Sequence, residues 1–220
     1  MSTASPVIAI DGPAAAGKGT LARRLAAYFD FDFLDTGLLY RATGFCLRRA
    51  GGDPGDVQAA EAAARALSPA DLADPALRNE AVGDLASAVA AIPGVRAALL
   101  DFQRGFARQP PGGKGAVLDG RDIGTVVCPK ATAKLFITAS VEQRARRRLK
   151  ELLERGADAI YERVLQDMTD RDARDSQRLA APLVPADDAF KLDTTDLDAD
   201  AAFGAALAYV ERKIAASRIG

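Results

Sequence analysis

Short apolar runs alternate with helical patterns over most of the chain. Five runs predict strands buried on both faces, at residues 6–10, 31–34, 116–118, 134–138 and 190–192. Each run is followed by a turn residue and then by apolar positions at helical spacing, as in residues 21–29. Ser140 and Gln143 have the spacing of a capping box, which predicts where the helix after the fourth strand begins. This alternation predicts a three-layer α/β fold with a five-stranded parallel sheet.

The alternation stops between residues 50 and 95. This segment is rich in alanine, has no strand pattern, and is interrupted by glycines at 51, 52 and 55 and prolines at 54, 69, 75 and 93. We therefore predict a short helical insert between the second and third strands. The predicted domain plan comprises a core of residues 1–49, 96–152 and 180–220, this insert of residues 50–95, and a lid of residues 153–179.

The composition of the 220 residues narrows the chemistry. The chain has no histidine, which excludes Ser-His-Asp and Cys-His triads and imidazole metal sites. Lys and Arg total 29 and Asp and Glu total 30, so the net charge of −1 gives no general attraction to nucleic acid or to an anionic membrane. We expect neither as a partner. Residues 91–150, however, carry 12 basic and 4 acidic side chains, which predicts local anion binding.

Cysteine usage and the N-terminus predict a cytoplasmic location. Cys46 and Cys128 lie far apart without a CxxC spacing, as expected for ordinary thiols in a reducing compartment. The first residues lack the basic segment of a signal peptide, and no apolar run approaches the roughly 18 residues needed to span a bilayer.

A glycine-rich loop follows the first predicted strand and opens the first helix. Its residues are Gly12, Pro13, Ala14, Ala15, Ala16, Gly17, Lys18, Gly19 and Thr20. Small residues let successive backbone N–H groups turn inward, the helix N-terminus adds positive potential, and Lys18 adds a mobile charge for the outer phosphates. This pattern predicts an ATP site in a P-loop fold. Because Gly19 stands where the strict pattern has a hydroxyl, Thr20 is the candidate hydroxyl for magnesium.

Polar residues also follow the second and third predicted strands. Thr36, Tyr40 and Arg41 lie on adjoining turns of a predicted helix. They could hold a phosphate, a sugar and a base, or they could serve as an N-cap, a packed ring and a solvated charge. Asp119, at the end of the third strand, is suited to hold magnesium through water, and Arg121 to reach a second phosphate.

A second arginine-rich segment follows further along the chain. Arg171, Arg174, Asp175 and Arg178 share one helical face, and residues 144–148 contribute four more arginines. An arginine-bearing lid would neutralise charge on a transferring phosphoryl group and exclude water. The alternative is a solvated helix with Arg–Asp pairs.

The chemistry of a nucleoside monophosphate acceptor is compatible with the absence of histidine. Its phosphate oxygen is already largely ionised at pH 7, because the second pKa of a phosphate monoester is about 6. No general base is required, and catalysis reduces to alignment and charge stabilisation. The predicted catalytic residues are Lys18, Arg121, Arg171, Arg174 and Arg178.

The chain resembles the bacterial cytidylate kinases, P-loop nucleoside monophosphate kinases that phosphorylate CMP and dCMP with ATP. The resemblance covers nearly the whole chain and rests on residues 12–20, 34–41, 119–125 and 171–185. The sequences DGRDIGTVV at 119–127 and APLVPAD at 181–187 separate this family from adenylate and thymidylate kinases. The resemblance implies ATP and CMP or dCMP as substrates, with Mg2+ as cofactor. We expect a monomer.

The resemblance also implies which residues bind the phosphate and sugar of CMP. Arg41 and Arg121 match residues that hold the acceptor phosphate. Thr36 matches a small hydroxyl near the acceptor nucleotide, and Tyr40 a ring against the sugar. Arg171 and Asp175 match the residues that bind the pentose.

Further matched residues concern the base and the ATP side. Ser87, Arg96 and Asp122 match the group that reads the cytosine edge, with Arg178 close by, and Arg147 falls in the lid near ATP. A carboxylate can accept a hydrogen bond from the exocyclic amine of cytosine but would repel the oxygen that replaces it in uracil. Discrimination against UMP should therefore be real but incomplete.

Several alternatives remain at the level of the sequence. The chain could be a UMP-preferring kinase, another small-molecule P-loop kinase, or a nucleotide-dependent switch, although it has no Asn/Thr-Lys-x-Asp guanine motif. Two departures from the family affect the expected geometry. The insert is short and helical where relatives often carry a small β-sheet. Ala14 and Ala15 replace a Ser-Gly pair, and alanine resists left-handed backbone angles.

Overall fold

The structure is a computed structural model that describes residues 5–178 and 180–217. Its strands are β1 (Val7–Asp11), β2 (Asp32–Asp35), β3 (Ala116–Gly120), β4 (Ala133–Thr138) and β5 (Phe190–Asp193). Its α-helices are α1 (Lys18–Phe29), α2 (Thr36–Arg49), α3 (Val57–Arg65), α4 (Glu80–Val89), α5 (Pro93–Arg108), α6 (Val141–Glu154), α7 (Tyr161–Gln177) and α8 (Ala199–Ser217). Two 3-10 segments, Pro69–Ala73 and Pro75–Arg78, precede α4, and a π-helical turn spans Ile123–Val127.

The five strands form one sheet in the order β2-β3-β1-β4-β5. β1 lies at the centre and pairs in parallel with β3, where Val7 is opposite Ala116, and with β4, where Ile8 is opposite Ala133. β4 pairs in parallel with β5. Each strand lies within two residues of its predicted bounds, and the predicted α/β fold class is confirmed.

The central strands are apolar because they are covered on both faces, as is usual for parallel sheets. Ile8 and Ile10 of β1 and Val117 of β3 have no exposed surface. α1 and α8 pack against the sheet and bring Leu25 and Val210 into the same cluster. Burial of apolar surface contributes about 25 cal/mol per Å². This packing holds the carboxyl ends of the strands, and the loops that leave them, in place.

The contacts divide the chain into two compact units. The core unit comprises Met1–Leu34 and Gln109–Gly220, and it contains β1, β3, β4 and β5. The helical unit comprises Asp35–Arg108 and has its own apolar core, to which Val89 and Val95 contribute. Within the described residues 36–108 there is no strand, in agreement with the predicted helical segment. The bounds of the insert and of the lid stay predictions.

Two of the helices begin at side-chain caps. Asp35 is the N-cap of α2, and its carboxylate accepts a hydrogen bond from the backbone N–H of Gly37 at 3.0 Å. Ser140 is the N-cap of α6, and its hydroxyl accepts from the N–H of Gln143 at 3.2 Å, which confirms the predicted helix start. Each cap satisfies a donor that has no partner within the helix.

No single helix in the described part of the chain has the length and apolar character to cross a membrane. Two consecutive helices, Ala81–Val89 and Pro93–Arg108, together have the length and composition of a membrane span, but they are bent by 98° at the break between them.

Candidate functional site

The glycine-rich loop leaves β1 through a close backbone contact. Gly12 has φ 150°, and a Cβ atom there would lie 2.0 Å from the carbonyl oxygen of Ile137 in β4. A side chain at this position would force the loop away from the neighbouring strand. Pro13 and Ala16 are buried within the same loop. The first glycine is therefore required by the sheet as well as by the turn.

Two further loop residues have left-handed backbone angles. Gly17, the N-cap of α1, has φ 89°, and Ala15 has φ 56°. Glycine adopts this conformation freely, whereas for alanine it costs on the order of 1–2 kcal/mol. Ala15 thus makes the turn that its residue type disfavours, and the loop carries backbone strain at that position.

Lys18 lies beside Asp119, the candidate metal ligand at the end of β3. The Nζ atom of Lys18 is 3.8 Å from Oδ1 of Asp119, and it donates a hydrogen bond to the carbonyl oxygen of Pro13 at 3.5 Å. The two charged side chains are only 11% and 7% exposed. Their attraction is therefore stronger than that of a surface pair, because little water screens it.

The same carboxylate lies close to position 19. A Cβ atom at Gly19 would lie 3.2 Å from Oδ2 of Asp119 and 3.7 Å from Nη2 of Arg23. A serine or threonine at this position would crowd the carboxylate that lies beside Lys18. Thr20, one residue later, is exposed.

Asp11, the last residue of β1, anchors the turn that follows β3. Its Oδ1 and Oδ2 atoms accept hydrogen bonds from the backbone N–H groups of Ile123 and Gly124, both at 2.7 Å. Burial raises the pKa of Asp11 to about 7, because these two hydrogen bonds offset only part of the desolvation of the charge. The anchored turn directly follows Arg121 and Asp122, two of the predicted CMP-binding residues.

Three arginines act on one buried carboxylate in the core unit. The Nε atom of Arg121 donates to Oδ2 of Asp175 at 3.2 Å, and Nη1 of Arg178 lies 3.8 Å from Oδ1. Burial would raise the pKa of Asp175, but the charges of Arg121, Arg171 and Arg178 outweigh it and hold the pKa below its ordinary value. This cluster has an excess of positive charge, which suits it to bind an anion.

Two other predicted residues of this unit lie in different environments. Arg174 is exposed, and its Nε atom donates to the carbonyl oxygen of Asp170, one turn earlier in α7, at 3.4 Å. It is not among the arginines that lower the pKa of Asp175. Asp122 is 5% exposed, so its carboxylate is held inside the protein.

Arg147 connects α6 to the segment that follows β5. Its guanidinium donates to the hydroxyl and the carbonyl oxygen of Thr194. The hydroxyl of Thr194 in turn lies 3.0 Å from the carbonyl oxygen of Ala16 in the glycine-rich loop. The predicted ATP-side arginine therefore reaches the loop through one intervening residue.

Arg144 belongs to the same arginine-rich stretch but is buried, with 4% exposure. It donates to the carbonyl oxygens of Ala139 and Ala14, and it forms an ion pair with Asp172 of α7. Ala14 is a residue of the glycine-rich loop, so Arg144 connects this loop to α7.

The helical unit carries the remaining predicted CMP-binding residues, which are Thr36, Tyr40, Arg41, Ser87 and Arg96. The guanidinium carbon of Arg96 lies 5.4 Å from the centre of the Tyr40 ring, a cation–π distance. The Nη1 atom of Arg41 donates to the carbonyl oxygens of Leu77 and Asn79 at 2.9 and 3.1 Å. Thr36 is buried at the first turn of α2. α2 thus carries three of these residues, α4 one and α5 one.

Ser87 has a buried hydroxyl oxygen with no hydrogen-bond partner among the described residues. A buried polar group without a partner costs about 1–3 kcal/mol. A bound ligand that supplied a hydrogen bond would remove this cost. The hydroxyl of Thr125, in the π-helical turn, is also buried without a hydrogen-bond partner among the described residues.

The sequence did not predict that Asp11 and Arg144 would connect distant segments of the core unit. In the sequence, Asp11 looks like the first residue of an ordinary Asp-Gly turn. The one feature that indicates a structural role is its position between a buried strand and the glycine-rich loop. Arg144 is one of four arginines within five residues, so nothing in its local sequence separates it from the exposed members.

The described residues contain no group of three or more Asp, Glu, Cys or His side chains suited to a metal ion. Mg2+ at phosphate sites commonly takes one or two carboxylates and completes its shell with phosphate and water oxygens. The buried carboxylate of Asp119, beside the glycine-rich loop, fits that kind of site.

The sequence is similar to those of known proteins over almost the full chain. A family model described as Cytidylate kinase matches residues 8–212. A cytidylate kinase from Paramagnetospirillum magneticum is 69% identical over 95% of this chain and 99% of its own length. Cytidylate kinases from Rhodospirillum rubrum and Xanthobacter autotrophicus are 59% and 62% identical, each over 94% of this chain and 98% of their own length.

Solved structures share the fold at low sequence identity. An uncharacterised protein from Eubacterium ventriosum has a TM-score of 0.53 at 16% identity, over 94% of this chain and 99% of its own. A sugar kinase from Janibacter has a TM-score of 0.51 at 12% identity, over 94% of this chain and 95% of its own.

Proposed function

The chain belongs to the cytidylate kinase family, and on this premise we propose that it transfers the γ-phosphoryl group of ATP to CMP or dCMP. The products are ADP and CDP or dCDP. The observation that carries the proposal is the positive cluster of Arg121, Arg171 and Arg178 around Asp175, in the unit that also holds Lys18 and the glycine-rich loop.

The residues of the loop and of α6 bind ATP. Support comes from the left-handed turns at Ala15 and Gly17, since a backbone of this kind directs N–H groups toward one concave side. The ATP-binding set is Gly12, Pro13, Ala14, Ala15, Ala16, Gly17, Lys18, Gly19, Thr20 and Arg147. Lys18 supplies the charge for the outer phosphates, and its neighbour Asp119 keeps it close to the loop.

Transfer needs alignment and charge stabilisation rather than a proton acceptor. The acceptor oxygen of CMP is largely ionised at neutral pH, so it attacks phosphorus without a general base. Lys18, Arg121, Arg171, Arg174 and Arg178 are the catalytic residues, and they stabilise the charge that spreads over the transferring group. Asp175 orients Arg121 and binds the pentose together with Arg171.

The CMP-binding roles divide between the residues of each unit. In the core unit, Arg121 holds the acceptor phosphate, and the buried carboxylate of Asp122 accepts a hydrogen bond from the exocyclic amine of cytosine. In the helical unit, Arg41 holds phosphate, Thr36 and Tyr40 contact the nucleotide, and Ser87 and Arg96 read the base. The partnerless hydroxyl of Ser87 supports the last assignment.

Mg2+ would be held by Asp119 and Thr20, directly or through water. When bound, it offsets the negative charge of the phosphates and aligns them. Lys18, next to Asp119, would compete with the ion for the same carboxylate, so the lysine must turn toward the phosphates when they are present.

A coupled assay of ADP formation tests the proposed function. With saturating ATP and Mg2+, ADP production should rise on addition of CMP or dCMP and much less with UMP or AMP. ADP production that does not respond to any of the four acceptors would contradict a kinase and favour a nucleotide switch. Equal turnover of CMP and UMP would instead indicate a general pyrimidine monophosphate kinase.

A further inference from the structure

Arg144 joins three segments of the core unit through one buried guanidinium. Its Nε atom donates to the carbonyl oxygen of Ala139, at the end of β4, at 2.9 Å. Its Nη1 atom donates to the carbonyl oxygen of Ala14, in the glycine-rich loop, at 3.3 Å. Nη1 and Nη2 bind the two carboxylate oxygens of Asp172 in α7, at 3.2 and 2.5 Å.

We propose that Arg144 is a positioning residue for phosphoryl transfer, which sets the orientation of α7 relative to the glycine-rich loop. The inference rests on the proposed function, because it concerns arginines that α7 would present to phosphates. A planar guanidinium that binds both oxygens of a carboxylate fixes the angle between the two groups as well as their distance. Because Arg144 also donates to Ala14, the angle of α7 is fixed relative to the glycine-rich loop.

α7 is held at two points along one face. Asp172 and Asp175 lie three residues apart, so they occupy adjoining turns on the same side of the helix. Asp172 binds Arg144 and Asp175 binds Arg121, which directly follows β3. Arg171 precedes the first of these carboxylates, and its position therefore depends on both ion pairs.

Apolar packing supports the same connection. Val164 and Met168 of α7 pack with Leu152 of α6 in one buried cluster. Ala14 and Ala15 of the glycine-rich loop pack against this cluster. A displacement of α7 would therefore disturb the packing of Ala14 and Ala15 in the loop.

Stability alone does not explain such a pair. Removing two charges from water costs several kcal/mol per ion, and replacing a buried ion pair with apolar residues of similar volume is often neutral or stabilising. Arg144 and Asp172 are 5% and 28% exposed as side chains. What an apolar pair would lack is the fixed two-point geometry between α6 and α7.

The Asp172→Asn variant tests the proposal. The amide removes the charge and one acceptor, so α7 loses its fixed angle. We expect kcat for CMP to fall about tenfold to a hundredfold, since a displacement of about 1 Å can have an effect of that size. KM for ATP should change much less than kcat, because Asp172→Asn leaves the hydrogen bond from Arg144 to the carbonyl oxygen of Ala14 in place. A purely structural role predicts a lower Tm with an unchanged kcat well below that temperature.

A matched control is Glu151→Gln in α6. Glu151 also holds two arginines, Arg148 and Arg155, but it is 42% exposed and both of its partners lie within or next to its own helix. This variant should leave kcat and KM close to those of the wild type. A loss of kcat as large as that of Asp172→Asn would overturn the proposal, because it would show a general sensitivity to charge on α6 and α7.

The double variant Arg144→Met with Asp172→Leu separates stability from positioning. Two apolar side chains remove both charges, of which that of Arg144 is buried and that of Asp172 is partly buried, so the Tm should recover much of what Asp172→Asn loses. The proposal requires kcat to stay low in the stable double variant. Recovery of kcat together with Tm would overturn it. If the double variant fails to fold, the kcat of Asp172→Asn against Glu151→Gln decides the question.

Activity of the wild-type chain and of the Asp172→Asn variant separates the proposed function from the positioning role of Arg144. A wild-type chain that does not phosphorylate CMP contradicts the proposed function itself. A wild-type chain that does so, with an equally active Asp172→Asn variant, contradicts only the positioning role of Arg144.

Discussion

The ammonium group of Lys18 lies 3.8 Å from the carboxylate of Asp119, so the helix that follows the glycine-rich loop is tied to the neighbouring strand β3 by charge. Both side chains are largely buried. Removing the lysine therefore affects two things at once, the positive charge available to phosphates and the pairing of a buried carboxylate.

We expect Lys18→Ala to lower kcat by about a hundredfold to a thousandfold, since one charge-stabilising group contributes that much in comparable sites. The chain should remain folded, with a circular dichroism spectrum like that of the wild type. Lys114→Ala is the control, because Lys114 pairs with Asp30 at the surface. Turnover by Lys18→Ala near that of the Lys114→Ala control would show that Lys18 has no catalytic role.

Asp122→Ala should reduce selectivity for the base more than it reduces affinity for ATP. Loss of a hydrogen bond to a charged group changes discrimination by about 2 kcal/mol, roughly thirtyfold. The measurement is the ratio of kcat/KM for CMP and UMP, compared with Asp101→Ala, which removes an exposed carboxylate in α5. An unchanged ratio, or an equal loss of ATP affinity, would remove Asp122 from the base-reading group.

The strain at Ala15 predicts opposite effects of glycine at two adjacent positions. Ala15→Gly relieves a left-handed alanine, and the relief of about 1–2 kcal/mol should equal or exceed the entropy that glycine adds to the unfolded chain. Ala16→Gly removes a fully buried methyl group at an ordinary backbone angle and should lower the free energy of unfolding by about 1 kcal/mol. Urea unfolding of both variants measures the difference. A destabilised Ala15→Gly variant would contradict the strain.

Asp11 predicts a pH dependence of stability. Its pKa is about 7 in the folded protein and about 4 in the unfolded chain, so between these values the folded state holds a proton that the unfolded state has lost. The free energy of unfolding should therefore fall as pH rises through this window, by up to about 1.4 kcal/mol for each pH unit. Asp11→Asn should remove this component. Urea unfolding from pH 4 to pH 8 tests it, and parallel curves for the two proteins would contradict it.

Gly83 predicts a specific effect on acceptor binding. A Cβ atom at Gly83 would lie 3.1 Å from Nη2 of Arg41, whereas a Cβ atom at Gly105, also in a helix, would have no neighbour within 4 Å. Alanine at either position should favour the helix by up to about 1 kcal/mol. Only Gly83→Ala should also raise KM for CMP, by about fivefold or 1 kcal/mol, because it displaces Arg41. Equal KM values in the two variants would exclude this effect.

The sequence predicts the parts of the molecule that depend on local spacing. The five strands follow from short apolar runs, and the loop from the order of strand, small residues, Lys18 and helix. The face that carries Arg171 and Asp175 of α7, with Arg178 directly after the helix, follows from three- and four-residue spacing, and the structure brings these three residues into one electrostatic cluster. Such features require only the geometry of one element.

Other features depend on contacts between distant segments and leave no local pattern. Asp11 binds backbone N–H groups more than a hundred residues away, and a backbone donor has no residue type by which to recognise it. Arg174 and Arg178 have the same side chain on the same predicted face, yet only Arg178 acts on Asp175. Periodicity identifies a helix face, but the tertiary fold decides which residues on that face are buried.

The strand order has a consequence for how the protein is made. β1 leaves the ribosome before the other four strands of the sheet, but its partners are β3 and β4, and Val7 pairs with Ala116. During synthesis β1 must therefore wait until the chain has reached residue 116 before it has a strand to pair with, while the intervening helices can begin to form from contacts closer in sequence. Until then, its apolar residues and its unpaired backbone are a site where a chaperone or another nascent chain can bind.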